Sequence, residues 1–144
     1  MTPSEARARE TREWLGKAAE DLISAHVLIG SNRFSGALFF CQQAAEKSLK
    51  AFLTWHEHTF RRTHDLEELG KDCQAIDPTL AALIEEADIL SDYAWKLRYP
   101  GAPYTPERAE AEAMFGIASR VLSAVQSRLP LEARISDGYV DDQS

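Results

Sequence analysis

Apolar residues recur along most of this chain at steps of three and four, the spacing that gathers them on one side of an α-helix. Leu15, Ala18, Leu22, Ala25 and Ile29 form such a stripe and predict a long first helix ending near Gly30-Ser31-Asn32. From Phe34 to about Trp55 a second helix is apolar over most of its circumference, with Leu38, Phe40, Cys41, Ala44, Ala45, Leu49, Phe52 and Leu53. A helix of that kind belongs at the centre of a bundle. Its small residues Ala44, Ala45, Ser48 and Ala51 would let a neighbouring backbone approach closely.

The pattern breaks after His56-Glu57-His58, and Asp65 with Glu68 three residues later resembles a capping box opening a short third helix, about Leu66 to Gln74. Asp77-Pro78 offers a cap and a proline at the first helical position, and Leu80, Leu83, Ile84, Ala87 and Leu90 carry a fourth helix to about Leu97. Tyr99-Pro100-Gly101-Ala102-Pro103 interrupts regular structure, and Thr105-Pro106-Glu107 starts a fifth helix buried through Met114, Ile117, Val121, Val125 and Leu129.

The expected architecture is all-α: an antiparallel up-and-down bundle of about five helices, four long and one short, over residues 1–130. An acidic, flexible tail is expected over residues 131–144. If short connections make successive helices antiparallel, the end of the second, the start of the third, the end of the fourth and the start of the fifth share one end of the bundle. His64, Asp65, Arg98 and Tyr99 would then be neighbours.

Composition narrows the class. The 144 residues are 44% hydrophobic and carry 16 basic against 23 acidic side chains, a net charge of −7. That balance disfavours a protein that coats duplex DNA, whose binding rests on neutralising phosphates. A local basic patch around Lys47, Lys50, Arg61 and Arg62 stands against it. No window is long and apolar enough for a membrane span and no secretory signal is evident, so the expected location is the cytoplasm. Cys41 and Cys73 form no CxxC pair and are expected to be reduced and packed.

No metal or cofactor is expected. HExxH, Glu-x-x-His pairs, GxxxxGK, GxGxxG and GxSxG are all missing from the sequence. What stands out is polar content on a helix that should be buried: Gln42, Gln43, Glu46, Lys47 and Lys50. Buried charge costs several kcal/mol unless it is paired, on the order of 3–5 when one partner is missing. Pairing of Glu46 with Lys50 and of Gln43 with Lys47 along a solvated seam would account for the pattern. A polar groove holding a phosphate or carboxylate would account for it equally well. His64, Asp65 and Arg98 are further candidates, although helix capping alone explains Asp65 and an ion pair would explain Arg98.

Three motifs occur in order: Gln42-Gln43-Ala44-Ala45-Glu46-Lys47-Ser48-Leu49-Lys50-Ala51, then Thr63-His64-Asp65-Leu66, then Tyr93 with Arg98-Tyr99-Pro100. Together, from about Trp14 to Leu129, they resemble the HEPN family (higher eukaryotes and prokaryotes nucleotide-binding). The resemblance implies a helical bundle, a homodimer, and a nucleotide or RNA ligand. It also implies a minimal nucleotidyltransferase as partner protein, often in a toxin and antitoxin pair. It adds Tyr93 and Tyr99 to a ligand set of Gln43, Glu46, Lys47, Lys50, Asp65 and Arg98. Family members that are metal-independent ribonucleases carry Arg, then four to six residues, then His. Here no histidine follows Arg98, and His64 is the last in the chain. Such an enzyme would have to use His64 with Arg98, and a purely structural helical adaptor is the third alternative.

Overall fold

A computed structural model describes residues 1–60, 63, 65–96 and 104–136, and among these every regular element is helical. Helix α1 spans Pro3–Gly30, α2 Phe34–Trp55, α3 Leu66–Ile76, α4 Ala81–Ala87, α5 Ile89–Lys96 and α6 Arg108–Ser127. With α4 and α5 counted as one broken rod, five rods form the expected all-α bundle. No helix among the described residues is long and apolar enough to cross a membrane.

Local chemistry sets the ends. The Thr2 hydroxyl accepts the Glu5 N–H at 3.0 Å while the Glu5 carboxylate accepts the Thr2 N–H, a reciprocal box that opens α1. After α1 the chain turns through Asn32 at φ 61°, a left-handed conformation that asparagine tolerates better than most side chains. Asp65 caps α3 by accepting the N–H groups of Glu67 and Glu68, and Asp77 caps a 3₁₀ turn over Pro78–Leu80.

Three expectations are corrected here. The fourth helix is not continuous: a turn at Asp88 divides it, with the Asp88 carboxylate facing Glu67, Glu85 and Asp92. The last helix is capped by Glu107 rather than Thr105, because the Glu110 side chain takes the Glu107 N–H at 3.2 Å and Glu107 returns the bond. Past Pro130 the chain does not fray at once. Leu131–Ala133 make a 3₁₀ turn that buries Ala133, and Ile135 donates to Gln126 at 2.9 Å. Residues 137–144 lie outside the described residues.

Packing is densest around α2. Leu15 and Leu22 of α1, Leu38, Phe52 and Leu53 of α2, Leu90 of α5 and Leu122 of α6 are all at most 1% exposed. Each such burial contributes about 1.5–3 kcal/mol before conformational entropy is set against it. Alanines 18, 25, 44, 45 and 51 are wholly buried, so α1 and α2 approach closely along most of their length.

Directions follow from the contacts. Asp21 meets Lys47, and Arg7 stacks on Trp55, so α1 and α2 are antiparallel. At the far end Ala111 of α6 packs with Ile29 and Ala37, while Arg128 at the other end of α6 reaches Asp77. Helix α6 therefore runs in the same sense as α2. So does α3, since Leu66 lines a cavity with Ala45 and Leu49 while Asp77, at its end, lies beside His56. The expected shared end is thus overturned. The chain after α2 first doubles back to put Phe60 against Trp14, and α3 then climbs again, so α5 finishes at the opposite end of the bundle.

Candidate functional site

Along one edge of the α1–α2 pair, Trp14, Lys17 and Asp21 follow one another at helical spacing beside Lys47 and Lys50. Lys47 Nζ lies 2.6 Å from Asp21 Oδ2, with both side chains largely shielded from water. Lys50 is 7% exposed, and its ammonium sits 5.4 Å from the Trp14 ring centre and 6.0 Å from that of Phe60. Those two rings meet edge to face at 6.3 Å. A desolvated ammonium held against an indole in this way is attracted by the ring quadrupole, on the order of 1–2 kcal/mol.

These contacts replace the pairs expected along α2. Lys50 turns to the rings rather than to Glu46, and Lys47 finds its acid on α1, 26 residues away in sequence. Gln43 donates to the side chain of its neighbour Gln42 at 2.8 Å rather than reaching Lys47. Glu46 is buried, at 1% exposure. Ser48 returns its hydroxyl proton to the Ala44 carbonyl at 2.8 Å, which satisfies it within the helix.

Two grooves meet at Trp14. One, of about 300 Å³, is lined by Glu10, Glu13, Trp14, Lys17 and Lys47. The other, of about 710 Å³, runs past Arg7, Glu10, Trp14, Glu57, His58 and Phe60. Lys17 is exposed and makes no ion pair among the described residues. Arg7 stacks on Trp55 at 4.1 Å and pairs with Glu57 at 3.1 Å. The indole is therefore bordered by Lys17 and Lys47 beside Glu10 and Glu13 on one groove, and by Arg7 beside Glu10 and Glu57 on the other.

Tyr93 belongs elsewhere. Its hydroxyl donates to Glu110 Oε2 at 2.8 Å, and Tyr104 donates to the same oxygen. Burial and the neighbouring carboxylate push the Tyr93 phenol well above its ordinary range, so it remains a donor. Glu110 precedes Ala111, which packs on Ala37, and Lys50 lies thirteen residues further along α2, roughly 20 Å at 1.5 Å per residue. Tyr93 and the two lysines thus do not share a pocket, contrary to expectation. Asp65 is spent on capping α3. His64, Arg98 and Tyr99, and with them Arg61 and Arg62, lie outside the described residues.

The remaining titratable groups are structural. Burial pushes the Cys41 thiol up to about 12 and that of Cys73 higher still, so both stay protonated and packed. His58 faces Asp72 at 3.4 Å, and His56 lies against the Phe52 ring with its pKa lowered by burial and by Arg7. Among the described residues no group of three or more His, Cys, Asp or Glu side chains is placed to hold a metal ion.

Trp14 is the residue that sequence reasoning missed. It adjoins Leu15 at the edge of the buried stripe, between Glu13 and Lys17, and an aromatic interleaved with charges at a stripe edge is the signal that could have found it. A family model described as HEPN domain matches residues 11–128. No curated protein and no solved structure matches the chain.

Proposed function

The chain belongs to the HEPN family, and on that premise we propose that it is a nucleotide- or phosphate-ligand-binding subunit whose ligand lies in the groove across Trp14. The base of the ligand stacks on the indole, and its phosphates meet Lys17 and Lys47. The observation that carries this reading is the placement of an aromatic face between Lys17, which makes no ion pair among the described residues, and Lys47, which is held by Asp21. Aromatic stacking contributes about 1–3 kcal/mol per base and a lysine supplies a compact charge for phosphate, so the two together suit a nucleotide. Because Asp21 already neutralises Lys47, the phosphate competes with a carboxylate there, and moderate affinity is the expected result.

In the cell the subunit acts as a homodimer with a minimal nucleotidyltransferase partner, in a toxin–antitoxin-like pair. Family membership supports this, as do the large apolar side chains left exposed on α1 and α2, Val27 at 60% and Phe39 at 51%. The absence of a histidine after Arg98 favours binding over RNA cleavage, since proton transfer from a 2′-hydroxyl at neutral pH is best served by an imidazole.

The test is calorimetric titration of the purified protein with ATP and with a short single-stranded RNA. Wild type should bind at least one of them, and Lys17→Ala or Lys47→Ala should weaken binding about tenfold, the worth of one hydrogen bond to a charged group. No heat with either ligand, or wild-type affinity in both variants, overturns the reading. Degradation of RNA in EDTA that disappears in His64→Ala would replace it with the ribonuclease.

A further inference from the structure

The end of α2 and the larger groove meet at one ion pair. Glu57 follows the helix in a left-handed conformation, φ 55°, with its N–H on the Thr54 carbonyl at 3.1 Å and the His58 N–H on the Leu53 carbonyl at 3.0 Å. Helices that close in this way favour glycine at that position, because a Cβ crowds the left-handed backbone. What the glutamate adds in exchange is its carboxylate, which lies 3.1 Å from Arg7 Nη1.

Arg7 carries a cost of its own. Its Nε is buried and meets no hydrogen-bond acceptor among the described residues. A donor taken out of water without a partner bears its full desolvation penalty. The pair with Glu57 does not offset both costs, since the Glu57 side chain is exposed and solvent-facing ion pairs contribute little. Two unfavourable features therefore share one wall of the 710 Å³ groove, which also presents the hydroxyls of Thr54 and Thr59. An internal carboxylate standing where a ligand's anion would go explains both, because a phosphate can engage more of the guanidinium fork than Glu57 does. The other acid of the groove, Glu10, is exposed and free to turn to solvent.

Position along α1 says what kind of ligand would reach this point. Arg7 and Trp14 are seven residues apart, nearly two turns, so they share a face roughly 10 Å apart at 1.5 Å per residue. Lys17 lies beyond Trp14 in the opposite direction along the helix. The phosphates of ATP form one chain on one side of the nucleoside and do not extend both ways from a stacked base. We propose that the Arg7 groove is a second anion subsite, held in reserve by Glu57, and that the ligand is a nucleoside carrying phosphate on both its 5′ and its 3′ side. One phosphate meets Lys17 and Lys47, the base stacks on Trp14, and the other phosphate displaces Glu57 from Arg7. The subsite stands on the Arg7 and Glu57 geometry, whereas the nucleoside between the two anions rests on the nucleotide reading above.

Calorimetry of the full chain with adenosine 5′-monophosphate and adenosine 3′,5′-bisphosphate tests this. Wild type should bind the bisphosphate about tenfold more tightly, the worth of one added charge-assisted contact. Arg7→Met keeps an apolar stem over Trp55 and should abolish that advantage without changing affinity for the monophosphate. Glu57→Gln keeps the backbone and removes the competing charge, so it should tighten the bisphosphate several-fold and leave the monophosphate alone. The dinucleotide pApA separates the sources: affinity equal to or above that for the bisphosphate assigns the site to a strand, and weaker binding to a small molecule. Equal affinity of wild type for the two adenosine phosphates overturns the proposal. So does a bisphosphate affinity that Glu57→Gln does not change, or an Arg7→Met variant that loses both ligands alike. If wild type binds no nucleotide, the nucleotide reading fails by itself, and inorganic pyrophosphate then decides the subsite. Binding to Glu57→Gln that Arg7→Met abolishes upholds it, and no binding overturns it.

Discussion

Replacing Gly70 with alanine sets helix propensity against packing, and the structure decides which prevails. Gly70 is in the middle of α3, where alanine is favoured by about 1 kcal/mol. A Cβ built at that position, however, would stand 2.6 Å from Ile84 Cγ2, so either α3 or α4 must move by about an ångström to restore ordinary contact. Ile84 is β-branched and 8% exposed, and the apolar cavity beside it, among Leu66, Leu80, Val121 and Val125, offers only about 10 Å³. That space holds no displaced methyl group. Overpacking of this kind costs about 1–3 kcal/mol, so after the propensity gain the net effect of Gly70→Ala is a loss of up to about 2 kcal/mol. For a chain of this size that lowers Tm by up to about 8 °C. Thermal and urea unfolding followed by circular dichroism measure it. The decisive control is Ile84→Ala, which removes the offending carbon: in that background Gly70→Ala should be neutral or mildly stabilising. A rise in Tm in the wild-type background, or the same loss in both, would refute the reasoning.

Other predictions follow from the charged groups. Asp21→Asn removes the carboxylate that pairs with Lys47 and should lower stability by about 1 kcal/mol, the upper range for a partly shielded pair, while tightening ATP binding because the competing carboxylate is gone. Calorimetry and urea denaturation check the two effects separately. Asp88 is held above its ordinary carboxyl value of 3.8 by burial and by Glu67, Glu85 and Asp92, so its ionisation opposes folding. Asp88→Asn should therefore stabilise at pH 7, with the gain vanishing as pH falls below that value. Asp77 is shifted the other way by Thr79 and Arg128, and its contribution is present above 3.8 and lost as pH falls through its depressed folded value. Asp77→Asn should accordingly destabilise at neutral pH and flatten the acid limb of the unfolding curve.

Much of the fold was legible because helices write their buried faces into sequence at fixed spacing. Leu15 to Ile29 and Met114 to Leu129 are such stripes, and Asp65 and Asp77 mark helix starts through side-chain chemistry that acts within three residues. The turn at Asp88 was not legible, since no glycine or proline marks it and Leu83, Ala87 and Leu90 keep helical period across it. Helix direction was misjudged for a related reason. The doubling back after α2 is fixed by Phe60 meeting Lys50 and, more than forty positions away in sequence, Trp14.

The candidate site was half legible. Lys47 and Lys50 stood out as charges on a buried helix, yet their partners, Asp21 and Trp14, lie on another helix, and no local rule connects them. Tyr93 was marked by family pattern, which names residues without placing them. Its partner Glu110 follows by seventeen residues, beyond residues 97–103.

The location of the ligand is the claim on which the account depends, and photolabelling measures it most directly. Irradiation of the full chain with 8-azido-ATP, followed by peptide mapping, should place the label on peptides containing Trp14 or Phe60, and excess ATP should suppress it. Label confined to peptides that line neither groove, or labelling that ATP does not suppress, would contradict a nucleotide site at Trp14.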